Sequence, residues 1–201
     1  MLIAALDREF HDATTASRDT TPWVAGTPGR RATAASSGAL AVAQPRHHLA
    51  QVNVALPREP LDSPLLAEFV AALEPINALA DRSPGFVWRL QTEDGDATGV
   101  RAFGDDRLIV NLSVWESLRA LRAFVYAGDH VAVMRRRREW FEQGAEAHMA
   151  LWWVDASHIP AVAEAEDRLA HLRARGPTAH AFTLRETYAP PAGGDGHARR
   201  R

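Results

Sequence analysis

The sequence contains no cysteine, which excludes disulfides, thiolate nucleophiles and cysteine-based metal centres. It contains no lysine either: all 23 basic residues are arginine, so Schiff-base chemistry is excluded with it. No apolar run approaches the roughly 20 residues of a membrane-spanning helix. A GxSxG elbow, a phosphate loop and a GxGxxG turn are all missing. Neither His47-His48 nor His148 with His158 has the spacing of a ligand set, and no metal site is expected. Net charge is scarce too, −2 with a pI near 6.5, so no global field recruits nucleic acid or an anionic membrane. The four arginines at 135 to 138 lie among acidic residues, and no nucleic-acid partner is expected from them.

What is present suits one domain with tails, since 201 residues can bury a real core. Residues 1–46 are rich in Ala, Thr, Ser, Gly, Pro and Arg and read as a disordered leader. Within them, Arg30-Arg31 followed by a weakly apolar stretch and Ala41-Val42-Ala43-Gln44 imitates a twin-arginine export signal. That stretch is mostly Ala, Ser and Thr and a long segment precedes it, so the chain is read as cytoplasmic. Residues 189–201 read as a second disordered tail.

The block between, residues 47–188, alternates regularly. Residues 47–56 read as a strand with Ala50, Val52, Val54 and Leu56 on one face and Leu49, Gln51, Asn53 and Ala55 on the other. Ser63-Pro64 offers an N-cap and a first-turn proline to a helix striped by Leu66, Phe69, Val70, Leu73 and Ile76, with a kink or early end near Pro75. Residues 86–91 read as a second strand. A polar, glycine-bearing loop over about 92–106 leads to a third at 107–115, with Leu108, Val110, Leu112 and Val114 opposite Ile109, Asn111, Ser113 and Trp115. Ser117 caps the next helix. Residues 149–154 form a fourth strand whose Trp152 and Trp153 must point to opposite faces. A helix from Pro160 stops at Gly176-Pro177, and 179–186 reads as a last, edge strand.

The order β-α-β-β-α-β, with one added helix and strand, is the ferredoxin-like split βαβ pattern of an α+β antiparallel sheet with helices on one face. Val52, Val54, Val110, Leu112 and Val114 would then form a bare apolar row on the other face. A second copy covering it would close a dimeric α+β barrel, so a homodimer is expected. Gln51, Asn53, Asn111, Ser113 and Trp115 would face the helices.

The central stretch, 115–154, carries the candidate chemistry. A break at Ala127-Gly128-Asp129 makes His130 the first residue of a second helix. At about 100° per residue, His130, Val133, Met134, Arg137, Trp140 and Phe141 share one stripe. His130 and Arg137 stand two turns apart and differ in direction by only about 20°. They fit a core-edge histidine and a solvated arginine, or a pocket in which His130 moves a proton and Arg137 holds an anionic oxygen. With Asn53 as a third catalytic candidate, the apolar cleft would be lined by Asn111, Ser113, Trp115, Met134, Trp140, Phe141 and Trp152, the usual form of a small-molecule site. Glu164 and Glu166, in the first turn of the late helix, are read as complementing its dipole.

The run of WES at 115–117, His130, the arginine cluster ending in Glu139-Trp140-Phe141, Leu151-Trp152-Trp153, His158-Ile159-Pro160, Glu164-Ala165, Gly176-Pro177-Thr178 and Ala181-Phe182-Thr183 resembles a domain-of-unknown-function family, number 3291, over roughly residues 47–188. That family looks like a branch of the dimeric α+β barrels, which include cofactor-independent antibiotic-biosynthesis monooxygenases, haem-degrading oxygenases and lactone isomerases. The resemblance implies a homodimer with a small-molecule cavity between each sheet and its main helices. The leading reading is a cofactor-free monooxygenase or isomerase-like enzyme acting on a conjugated, aromatic or polyketide-like compound. A non-catalytic ligand- or partner-binding module is the alternative. Haem binding is a third reading: Asn53 and His130 correspond loosely to an asparagine and a histidine of the haem-degrading relatives, although His130 comes earlier than the haem ligand would.

Overall fold

A computed structural model describes residues 46–92, 95–126, 136–143 and 146–192. Four strands, β1 (His47–Ala55), β2 (Phe86–Arg89), β3 (Ile109–Trp115) and β4 (Met149–Asp155), form one sheet in the order β2-β3-β1-β4. Every pairing is antiparallel, so the α+β, ferredoxin-like order expected from the sequence is the one adopted. Asn53 stands opposite Asn111 on β3 and Met149 on β4, and Ala50 stands opposite Val114 and Trp152. Because side chains alternate along a strand, this register assigns every residue of the sheet to a face.

One face carries Leu49, Ala55, Trp115, Met149 and Leu151, packed beneath α1 (Ala67–Asp81) and α2 (Leu118–Val125). A single-turn 3₁₀ helix, Pro64–Leu66, leads into α1. The Ser63 side chain accepts no capping bond from it, contrary to expectation, and the start of the turn is held by Leu66 N–H donating to the Ser63 carbonyl at 3.1 Å. α1 also runs past Pro75 to Asp81. The proline removes one helical N–H, but Ile76 and Ala80 beyond it are buried in the same cluster as Phe69 and Leu73, and that burial offsets the lost bond. Val70, assigned to the apolar stripe from its spacing, is instead 40% exposed. Ser117 does cap α2, its Oγ accepting from Ala120 N–H at 3.1 Å. The turn before β2 depends on Gly85, which has φ +79 and lies so close to α2 that a Cβ there would stand 2.6 Å from that of Ala120.

The other face is not bare. The row Ala50, Val52, Val54, Val110, Leu112 and Val114 is buried within the single chain against Ala165, Leu169 and Leu172 of α3 (Val162–Arg175), with Ala102, Phe103 and Leu108 of the loop before β3 packed alongside. Helices therefore occupy both faces, which corrects the one-sided arrangement expected from the sequence. A second copy is not needed to keep these valines dry. α3 ends where expected, at Gly176 with φ +73, whose N–H donates to the Leu172 carbonyl at 2.9 Å. Residues 179–186 do not form a strand: they meet β4 at one reciprocal bridge, Leu151 with Phe182, both bonds 2.8 Å. Among the described residues no helix is long and apolar enough to cross a membrane.

Candidate functional site

β2 ends at Arg89, paired with Ser113, so the first half of β3 is paired with β1 but not with β2, and Leu90 and the loop residues Asp96 to Thr98 lie on that side. The result is a concavity between the sheet, α1 and this loop. It is lined by Asn53 and Ala55 of β1, Phe69, Leu73 and Asn77 of α1, Leu90, Asp96, Ala97 and Thr98 of the loop, Ile109 to Asn111 of β3, and Phe141. Its enclosed part has room for one or two waters, and the rest opens to solvent. A smaller neighbour shares Asn77 and Asn111 and adds Arg89, Ser113 and Phe124. Phe141 is held in place by its bridge to Pro57, just beyond β1, and by Glu142 N–H donating to the Leu56 carbonyl at 2.9 Å.

Beneath the concavity runs a buried polar relay. Trp115 Nε1 donates to Ser113 Oγ at 3.0 Å, Ser113 Oγ to Gln51 Oε1 at 2.9 Å, and Gln51 Nε2 to Asn53 Oδ1 at 2.9 Å. Each member is at an alternate position of β1 or β3, so the period of the strand places them on one face and the cross-strand register brings them into reach. Asn53, only 3% exposed, has its oxygen taken by Gln51 and is among the residues that line the concavity. Asn111, its cross-strand partner, does not join the relay: its Oδ1 is buried with no hydrogen-bond partner. Such an atom carries a desolvation cost of about 1–3 kcal/mol unless something reaches it.

The loop side is equally tied. Asp96 Oδ1 accepts from Thr98 N–H at 2.8 Å and from Thr98 Oγ1 at 2.7 Å. Arg89 donates from Nε and Nη2 to the Asp81 carboxylate at 2.8 and 3.2 Å, and from Nη1 to the Gly95 carbonyl at 2.7 Å. One guanidinium thus joins the end of α1, the end of β2 and the loop that carries Asp96.

The family model for "Domain of unknown function (DUF3291)" matches residues 48–197. The chain belongs to the DUF3291 family. Among curated proteins none matches it. Solved structures similar to this DUF3291 chain include SnoaB, a cofactor-independent oxygenase from Streptomyces nogalater, 19% identical, covering 56% of this chain and 95% of that one with a TM-score of 0.38. Rv0793 from Mycobacterium tuberculosis is 12% identical, covering 57% and 99% with a TM-score of 0.37. A conserved protein from Methanosarcina mazei Go1 is 8% identical, covering 56% and 95% with a TM-score of 0.41.

In the DUF3291 chain the structure gathers only part of the site expected from sequence. Asn53, Asn111 and Phe141 line the concavity and Ser113 its neighbour. Trp115 lies under them, stacked on Phe124 with centroids 5.0 Å apart, and Trp140 packs against Phe69 behind the wall. His130 and Met134 lie outside the described residues. Arg137 is 9% exposed, in a helical segment at 136–140 whose Arg136 and Arg138 are exposed. It is buried as the pocket reading required, yet it is absent from the lining.

Trp152 is a correction. It lies on the opposite face, beside α3, with Nε1 donating to Glu164 Oε1 at 2.8 Å, because its register partner Ala50 belongs to the valine face. Glu164, read from sequence as a dipole partner, also accepts from His158 Nε2 at 2.7 Å and Arg168 Nη2 at 3.3 Å. Burial pushes its carboxyl up, but the hydrogen bonds from His158 and Trp152 and the nearby charges outweigh it and hold the group below the ordinary glutamate value. Glu166 instead accepts from the N–H of Phe103, which has φ 61, and so ties the loop to α3.

Sequence reasoning missed Asn77, Asp96, Thr98 and Arg89. Asn77 had a usable signal, a polar residue four after Leu73 on the buried stripe of α1; Asp96 had none, because the loop's fold onto the site is not periodic. Among the described residues no three His, Asp or Glu side chains gather as a metal would require. The described lining offers no axial ligand to a haem iron.

Proposed function

We propose that this chain is a small-molecule-binding protein whose chemistry is that of a cofactor-independent monooxygenase or isomerase-like enzyme, acting on a conjugated, aromatic or polyketide-like compound. The observation that carries the reading is Asn111, whose buried Oδ1 has no partner beside an otherwise apolar wall of Phe69, Leu73, Leu90, Ile109 and Phe141. Buried polar groups are hydrogen-bonded in the great majority of cases, and an exception calls for a reason. A flat ring lying across the open mouth, with a phenolic or enolic O–H on the edge that faces Asn111 Oδ1, supplies one.

This arrangement suits an enolisable ketone or a phenol. The substrate binds as the neutral phenol or enol; only when it loses its proton does its oxygen gain negative charge, which an amide N–H bonds more strongly than a neutral oxygen. The carbanion so formed is electron-rich enough to react with dioxygen directly or to take the proton back at another carbon. The sequence offers His130 as the base. A non-catalytic binding module is favoured by one specific feature, that Asp96 is the only ionisable side chain among the described lining residues.

The test is aerobic incubation with anthrone, a tricyclic enolisable ketone, following binding by calorimetry and oxygen uptake with an electrode. The enzyme reading expects binding with turnover, and His130→Ala retaining the first while losing the second. Binding without oxygen uptake or rearranged product assigns the module, whereas no binding by wild type, or binding indifferent to Asn111→Leu, ends the reading of this site.

A further inference from the structure

We propose that Asp96 makes this site selective for a neutral or cationic ligand that brings hydrogen-bond donors, and that it turns carboxylates and phosphates away. The inference rests on the concavity being the binding site and concerns what that site accepts. It reverses the sign of charge that the arginine cluster suggests.

Two acceptors of the lining have capacity to spare. Asn111 presents a buried oxygen without a donor. Asp96 lines the same concavity, and both bonds it receives from Thr98 go to Oδ1. No arginine or histidine is among the described lining residues. The guanidinium of Arg89, in the adjoining recess, is committed through Nε, Nη1 and Nη2 to Asp81 and the Gly95 carbonyl. Those same bonds hold the loop so that Asp96 cannot swing away cheaply. A carboxylate entering here would meet a like charge in a partly desolvated space, with amide and hydroxyl groups but no cation to offset it among the described lining residues. A hydroxyl can donate to one of Asn111 and Asp96, and an ammonium group has protons for both; bonds to an ionised acceptor are the stronger kind.

The experiment uses three naphthalene probes of one ring size, 2-naphthol, 2-naphthylmethylammonium and 2-naphthoate, titrated calorimetrically into the full-length chain at pH 7. Wild type is expected to bind the naphthol and the ammonium at least tenfold more tightly than the naphthoate. Asp96→Asn is expected to bring the ammonium-to-naphthoate ratio toward one, with Asp96→Ser behaving alike and both melting within a few degrees of wild type. Naphthoate binding to wild type as tightly as the ammonium, or a ratio unchanged in both variants, overturns the role of Asp96 while leaving the site intact. Equal binding of all three to wild type and to Asn111→Leu, or no binding of any, removes the site and the inference with it.

Discussion

Asn111 is where binding and stability conflict. Its carbonyl oxygen is buried without a donor from the protein, so replacing it by an apolar residue of similar size removes a desolvation cost without breaking a bond within the chain. Asn111→Leu is therefore expected to raise stability by about 1 kcal/mol, read from the denaturant midpoint, while weakening ligand binding at least tenfold. A fall in stability would show that the amide is structurally engaged. Glu164 carries a different prediction. Its folded carboxyl is held below the ordinary value, so its contribution is present above the unfolded-state value, near that of a free glutamate, and is lost as pH falls through the lowered folded one. Wild type should therefore lose more stability between pH 6 and pH 3 than Glu164→Gln does, measured by urea unfolding across that range. Parallel curves for the two would refute the linkage.

At the scale of elements, α1 is the one whose local chemistry and packing disagree. Pro75 stands inside the helix and is exposed, so its ring adds no core packing while its missing N–H leaves the Ala71 carbonyl without a helical donor. Pro75→Ala is expected to raise the thermal midpoint, by an amount equivalent to about 1–3 kcal/mol. No gain would mean that the helix has adjusted fully around the proline. The strands show the opposite case, where local pattern and packing agree. Gln51, Asn53 and Ser113 alternate with buried aliphatic residues, and that alternation alone predicted their shared face; the register then closed the relay to Trp115.

At the scale of the molecule, α3 turns a half-covered sheet into a sealed one. Leu169 is fully buried against the valine row, and Leu169→Ala is expected to cost about 2–5 kcal/mol by lost transfer energy and cavity formation. Equilibrium unfolding monitored through Trp152, which lies on this face, reads the loss directly. A cost below about 1 kcal/mol would mean that α3 is only loosely seated. The seal also bears on assembly. A sheet whose two faces are both buried within one chain leaves the valine row unable to drive association, so any pairing of copies must use other surfaces.

The sequence by itself determined the four strands of the sheet, though not that 179–186 stays out of it, the order of the elements, both helix ends at Ser117 and Gly176, and the shared face of Asn53 and Asn111, because periods of 2 and 3.6 and the preferences of capping residues act over a few positions. Only the tertiary structure decided that α3 returns across the valine face, that Arg137 is buried away from the lining, that Trp152 sits on the far side, and that Asp96 reaches the site. The physical reason is common to all four. Where a segment docks depends on which distant surface it buries, and that choice is made among residues far apart in the chain, where no local period reports it.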